Sequence, residues 1–146
     1  MTSPQRIHFQ LDEDADGYPP VAVESVWATP GSKSNEYVLD SIPFFTREAT
    51  NGDMVKVLKK EGRFWFESIV KSSNNSLMRV VFFDRGCVEK IRGQLVDLGC
   101  STEYLEIHNL MSVDIPIEVD LTAVQKYLEA EVANGRIDYE EPILRQ

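Results

Sequence analysis

The sequence predicts an α+β fold: a β-rich half over residues 1–76, then a ferredoxin-like strand-helix-strand-strand-helix unit over 77–146, its helices on one face of an antiparallel sheet. Three observations carry this expectation. Apolar residues of the first half alternate with polar ones or cluster in short β-branched and aromatic runs. After Leu77–Phe83 the period changes to that of a helix in two segments, and each opens on an aspartate and closes on a glycine. With 146 residues, a chain of this kind buries roughly 70% of its unfolded surface, so residues 1–146 are expected to form a single domain.

The elements follow in order. Ile7, Phe9 and Leu11 alternate with polar neighbours, as a half-buried strand requires, and Val21–Trp27 is rich in β-branched residues. Ile42-Pro43-Phe44-Phe45 is apolar, but its proline lacks an amide donor, which places it at an edge or a strand end. Met54–Leu58 and Phe64–Val70 read as a hairpin turning through Lys59-Lys60-Glu61-Gly62-Arg63. Leu77–Phe83 is a further strand. Asp84 is positioned to cap a helix carrying Val88, Ile91, Leu95 and Leu98, with Gly99 as its left-handed stop. Tyr104–Ile107 and Leu110–Ile115 are strand-like; residues 103–115 read equally as one strand bulged at Asn109 or as a hairpin. Asp120 caps a second helix carrying Leu121, Val124, Leu128 and Val132, closed by Gly135, and Ile137-Asp138-Tyr139 returns to the sheet.

Charge narrows the function classes. The chain holds 24 acidic and 15 basic residues, a net charge of −9. The acidic excess gathers in residues 1–24 and 116–146. Such a balance opposes non-specific attraction to nucleic-acid phosphates and anionic lipid, and favours basic partners. No run approaches the ~20 apolar residues of a membrane span, and the N-terminus lacks the apolar core of a signal peptide. The expectation is a cytoplasmic protein that binds neither nucleic acid nor membrane.

Candidate chemistry is sparse. Asp12-Glu13-Asp14-Ala15-Asp16-Gly17 copies the opening of a calcium loop, but Val23 stands where the bidentate acid belongs and Glu24 comes one residue late. An acidic turn between strands is the better account, and no metal is expected. Cys87 and Cys100 fall at opposite ends of the first helix, about 18 Å apart at ~1.5 Å per residue, beyond the ~7 Å reach of a disulfide. They read as free thiols. Cys87, near a helix N-terminus, is the conceivable nucleophile, with only His8 and His108 as possible bases. Zinc spacing, a phosphate loop and a G-x-S-x-G elbow are all missing. Phe64, Trp65 and Phe66 bring base stacking to mind, but consecutive strand residues face opposite ways and cannot form one platform. Core packing is expected for them. No catalytic residue and no cofactor is assigned.

Six short pieces stand in order along the chain: Glu24-Ser25-Val26-Trp27, Asp40-Ser41-Ile42-Pro43-Phe44-Phe45, Asn51-Gly52-Asp53-Met54-Val55, Leu77-Met78-Arg79-Val80, Leu98-Gly99-Cys100-Ser101-Thr102-Glu103 and Tyr139-Glu140-Glu141. Together they resemble an uncharacterised bacterial family of small acidic proteins known as a domain of unknown function. The acidic turn and Pro142–Gln146 lie outside the resemblance, which brings no catalytic set with it. In character the chain also resembles bacterial immunity proteins. Such proteins need no active site and use complementary charge to capture a basic toxin domain. The function expected is therefore that of a non-catalytic protein-binding protein, an immunity protein that blocks a cognate toxin, with Asp138, Glu140 and Glu141 as partner contacts. The alternative is a cytoplasmic small-molecule-binding module or an enzyme of unknown reaction.

Overall fold

A computed structural model describes residues 3–146. It is a mixed α+β protein with nine strands in two sheets and two α-helices among the described residues. The chain divides into two compact units, Met1–Ser73 and Asn74–Gln146.

The first unit is a closed barrel of β1 (Gln5–Gln10), β2 (Val23–Pro30), β3 (Glu36–Leu39), β4 (Met54–Lys60) and β5 (Arg63–Lys71). Neighbours pair antiparallel in chain order, and a parallel pairing of β1 with β5, Ile7 opposite Phe64 and His8 opposite Trp65, closes it. Closure removes the unpaired edges that a five-stranded sheet would otherwise expose. Alternation sends Ile7, Phe9, Val26, Ala28, Leu39, Val55 and Val57 inward, with Phe64 and Phe66 packed against them; Phe66 stacks on Phe9 at 4.8 Å between ring centroids. Between them in sequence, Trp65 points outward to His8, 5.4 Å from ring to ring. Core packing thus holds for two of the three aromatics. The expected β4–β5 hairpin forms, and Lys60 opposite Arg63 leaves Glu61 (φ 54°) and Gly62 (φ 78°) as a two-residue turn of the primed kind that suits strand twist.

Three expectations change here. The second strand starts at Val23 rather than Val21. The short strand β3 has no counterpart in the sequence reading. Ile42–Phe45 is loop, not strand, and Glu24 explains it: its carboxylate accepts from the backbone N–H groups of Phe44, Phe45 and Thr46 at 2.6, 3.0 and 2.8 Å. The residue that arrives one place late for calcium is the anchor of this loop. Asp53 acts likewise, accepting from Thr50 N–H and Ser73 N–H, each at 2.9 Å. In the acidic turn, the Asp14 carboxylate accepts from the N–H groups of Asp16 and Tyr18 at 2.8 and 3.0 Å.

The second unit holds β6 (Ser76–Phe82), α1 (Val88–Asp97), β7 (Ser101–Leu105), β8 (Leu110–Ile115), α2 (Leu121–Ala133) and β9 (Ile137–Ile143). Its sheet runs β7-β8-β6-β9, antiparallel throughout. Met78, Val80, Phe82, Met111, Val113, Ile115 and Ile137 share one core with Ile91 and Leu95 of α1 and Val124 and Leu128 of α2. Asp84 caps a 3-10 turn, Arg85–Cys87, that leads into α1 rather than capping α1 itself, and Asp120 caps α2 through Ala123 N–H. At Gly99 (φ 104°) a Cβ would lie 2.8 Å from Val119 Cγ2, so both conformation and space require glycine. Residues 103–115 are a hairpin. β7 and β8 pair from Ser101 opposite Asp114 to Leu105 opposite Leu110, joined by a 3-10 turn at Glu106–His108 and a left-handed Asn109.

Candidate functional site

The residues expected to meet a partner lie on β9, an edge of the second sheet, and the strand separates them. Glu140 stands directly opposite Arg79 of β6, 3.6 Å between charged atoms, and Arg79 is only 1% exposed. A buried guanidinium needs such a counter-charge, so Glu140 is committed to the sheet. Between Glu140 and Ile143 the strand spans three steps while β6 spans two from Arg79 to Leu77, a bulge next to Pro142 that suits an edge. Glu141 accepts from Gln125 Nε2 of α2 at 2.7 Å. Asp138 is exposed and accepts only from its neighbour Tyr139 N–H, at 2.8 Å. Glu140 and Glu141 thus have partners within the unit, and Asp138 is the most accessible of the three.

The geometry adds what the sequence could not place. Val81, near the end of β6, pairs with Asp138 on one side and Leu110 on the other. Phe83 follows at that end, and Ile107 sits in the turn just before Leu110. Phe82 N–H, donating to Asn109 C=O at 3.0 Å, ties the two segments together. Phe83 is 67% exposed and Ile107 79%. The sequence reading placed both in strands; nothing in the local pattern marks a strand-end residue as open to solvent. Asp84 and Glu106 adjoin them in the chain, and Asp138 pairs with Val81 two residues before Phe83, in a unit holding thirteen acidic and seven basic residues, a net −6.

Both thiols and the phenols of Tyr127 and Tyr139 are shifted away from activation. Burial pushes the Cys87 thiol up, Asp84 and Glu131 adding to it, and its Sγ donates to Asp84 C=O at 2.9 Å. Burial, with Asp114 nearby, pushes Cys100 up to about 11. Burial and the Glu131 carboxylate push Tyr127 up to about 12, and burial and Glu129 push Tyr139 higher still. A thiol nucleophile needs the opposite shift. Glu131 is the exception in direction. Burial alone would raise it, but the Asn134 amide at 3.1 Å, Lys90 at 3.9 Å, Arg136 at 3.4 Å and the Tyr127 hydroxyl at 3.3 Å hold it below the usual carboxylate range. The cluster keeps a structural charge at the end of α2. Among the described residues no group of three His, Cys, Asp or Glu could hold a metal ion, and no helix is long and apolar enough to cross a membrane.

Comparison with known proteins is consistent with this picture of fold without assigned chemistry. A solved structure described as a novel crystal structure of a hypothetical protein from Neisseria gonorrhoeae shares the fold, with a TM-score of 0.76 at 15% identity, over 100% of this chain and 97% of that one. No curated protein matches the chain. The profile of DUF4265, a domain of unknown function, matches residues 24–139, from the Glu24 anchor to Tyr139 on β9, and the chain belongs to that family.

Proposed function

We propose that the chain is a non-catalytic protein-binding protein that acts in the cytoplasm as an immunity protein, covering a basic toxin domain. The observation that carries this reading is the end of the second sheet. Two large apolar side chains, Phe83 and Ile107, stand in solvent beside acidic residues on a unit of net −6. Exposed apolar anchors within a charged rim are the anatomy of a protein contact, and the acidic rim selects a basic partner by steering its approach. The upward shifts of Cys87, Cys100, Tyr127 and Tyr139 leave those groups protonated at neutral pH, which favours binding over covalent or acid–base chemistry. A ferredoxin-like reading of residues 77–146 belongs to the same proposal. Its support is the element order strand, helix, strand, strand, helix, strand, together with the spatial order β7-β8-β6-β9.

The test starts from the gene next door: a toxin-tipped protein encoded immediately upstream supplies the partner domain. Phe83→Ala should weaken the complex by about tenfold or more, as loss of an interface anchor does. Asp138→Lys should slow association and flatten its salt dependence, with the off-rate little changed. Should the neighbourhood be metabolic, or should protection survive Phe83→Ala combined with Ile107→Ala, the reading fails.

A further inference from the structure

The outer wall of the barrel has the opposite character to the second unit. Arg6 and His8 alternate with the inward Ile7 and Phe9, so both face out, and Trp27 faces out opposite Arg6 on β2. The Arg6 guanidinium lies 4.7 Å from the centre of the Trp27 ring, and Trp27 is 47% exposed. Across the parallel β1–β5 seam the β4–β5 turn brings Gly62 and Arg63 alongside. Arg6, His8, Trp27, Gly62, Arg63 and Phe64 line a cleft of about 290 Å³. Both tryptophans of the chain lie on this wall, Trp65 being held against His8. Among the described residues neither Arg6 nor Arg63 forms an ion pair or hydrogen bond, and Lys59 and Lys60 adjoin the same turn.

We propose that this cleft binds a nucleotide-sized anion, a phosphate joined to a planar ring. Each part of that chemistry has its counterpart. Two guanidiniums without an ion pair among the described residues, Arg6 and Arg63, supply the planar, multiply donating forks that grip phosphate oxygens. An exposed indole with an arginine stacked on it, and the imidazole beside it, supply the flat faces on which a heterocycle stacks. Gly62, which lines the cleft, contributes no side chain to it. The volume of about 290 Å³ lies just under the range of roughly 300 to 1,000 Å³ for drug-sized ligands, which limits the occupant to one nucleotide rather than a larger cofactor. The chain's net charge of −9 governs the far field and still disfavours non-specific binding along a polyanion. The charged side chains that line the cleft itself are Arg6 and Arg63. The proposal is independent of the toxin reading and uses a different surface.

Phosphate and ring can arrive as a free mononucleotide or as the end of a single strand, and one titration separates the sources. Fluorescence of Trp27 and Trp65 in the full chain is followed on addition of AMP, of adenosine, of inorganic phosphate and of a short deoxythymidine oligomer. AMP should quench it, with adenosine and phosphate each displacing AMP only weakly. AMP as tight as the oligomer identifies a free-nucleotide site, and an oligomer ~10-fold tighter identifies a strand end. Arg6→Ala and Arg63→Ala are both exposed substitutions, and each should weaken AMP about tenfold, as loss of a charge-assisted contact does. Trp27→Phe should keep binding while losing most of the signal. No quenching by millimolar AMP or by the oligomer, AMP affinity unchanged in the double arginine variant, or a glutamate-rich peptide competing as well as AMP would each overturn the proposal.

Discussion

The two compact units handle buried charge in different ways, and the difference decides what each surface can do. In the barrel, Glu24 and Asp53 satisfy their carboxylates on backbone N–H groups. In the second unit, Arg79 pairs with Glu140, and Glu131 with Lys90 and Arg136, while Arg92 pairs with Glu89 on the surface of α1. A backbone clamp uses no cation. Of the barrel's cations, Lys56 pairs with Glu67 at 3.4 Å and Lys59 lies over the Phe64 ring, while Arg6 and Arg63 face outward without an ion pair among the described residues, in a unit of eleven acidic and eight basic residues. The second unit pairs Arg79, Lys90, Arg92 and Arg136 with acids of its own and carries a net −6.

The largest effect separates the units by the probe that reports on them. Both tryptophans lie in the barrel and both α-helices in the second unit. Leu128 of α2 is fully buried, so Leu128→Ala should cost about 2–5 kcal/mol, lost transfer plus cavity, read in denaturant by the helical circular dichroism signal. A loss below ~1 kcal/mol would mean the buried face of α2 is misplaced. If residues 1–146 unfold as one domain, tryptophan fluorescence shifts to the same midpoint; a fluorescence curve left in place would make the units separate folding bodies.

Next in size is the pair Glu131 and Glu24, which contrasts counter-ion with backbone clamp. The folded-state pKa of Glu131 is depressed. Its stabilisation is thus fully present above the unfolded value near ~4.3 and lost as pH falls through the folded one. Glu131→Gln should flatten the stability profile in that acidic window and cost about 1–3 kcal/mol at neutral pH, an expected size for bonds to a charged group. Added salt should weaken the wild type at Glu131 but not at Glu24, whose partners are backbone amides. Glu24→Gln should lose a similar ~1–3 kcal/mol with no salt dependence. Equal salt sensitivity at both sites would erase the distinction drawn here.

Much of this was legible in the sequence where a local rule coincides with the tertiary outcome. Asp120 and Gly135 bracket α2, and Gly62 turns the β4–β5 hairpin. The failures share a cause: what decided them lies far away in the chain. β3 is only Glu36–Leu39, too short for a periodicity, and opens on a buried acid. Ile42–Phe45 reads as strand until Glu24, some twenty residues earlier, is seen to hold its N–H groups. Alternation correctly set Trp65 apart from Phe64 and Phe66 but could not say which side was out. The partners that Glu140 and Glu141 find in Arg79 and Gln125 likewise lie far away in the chain and have no mark in the acidic run itself. The barrel cleft joins residues 6–8, 27 and 62–64, for which no window of sequence carries a signal; the nearest hint was basic residues flanking the turn before an aromatic run.

The smallest effect contrasts two arginines, Arg63 on the outer wall of the barrel and Arg136 beside Glu131 in the second unit. Arg63 is exposed and carries no ion pair among the described residues, so Arg63→Ala should change stability by less than ~0.5 kcal/mol, as surface substitutions away from special features do. Arg136 reaches the buried Glu131 carboxylate at 3.4 Å with 37% of its own side chain exposed. Screening at that exposure reduces what a charged hydrogen bond would give, and Arg136→Ala should cost about 1 kcal/mol. The same substitution should raise the Glu131 pKa, since one of the cations holding it down is gone, and so move the acid limb of the stability profile to higher pH. Paired denaturation curves at neutral and acidic pH read both quantities. If Arg63→Ala proved as costly as Arg136→Ala, the barrel's outer cations would be structural after all, and the cleft they line would lose its claim to hold a ligand.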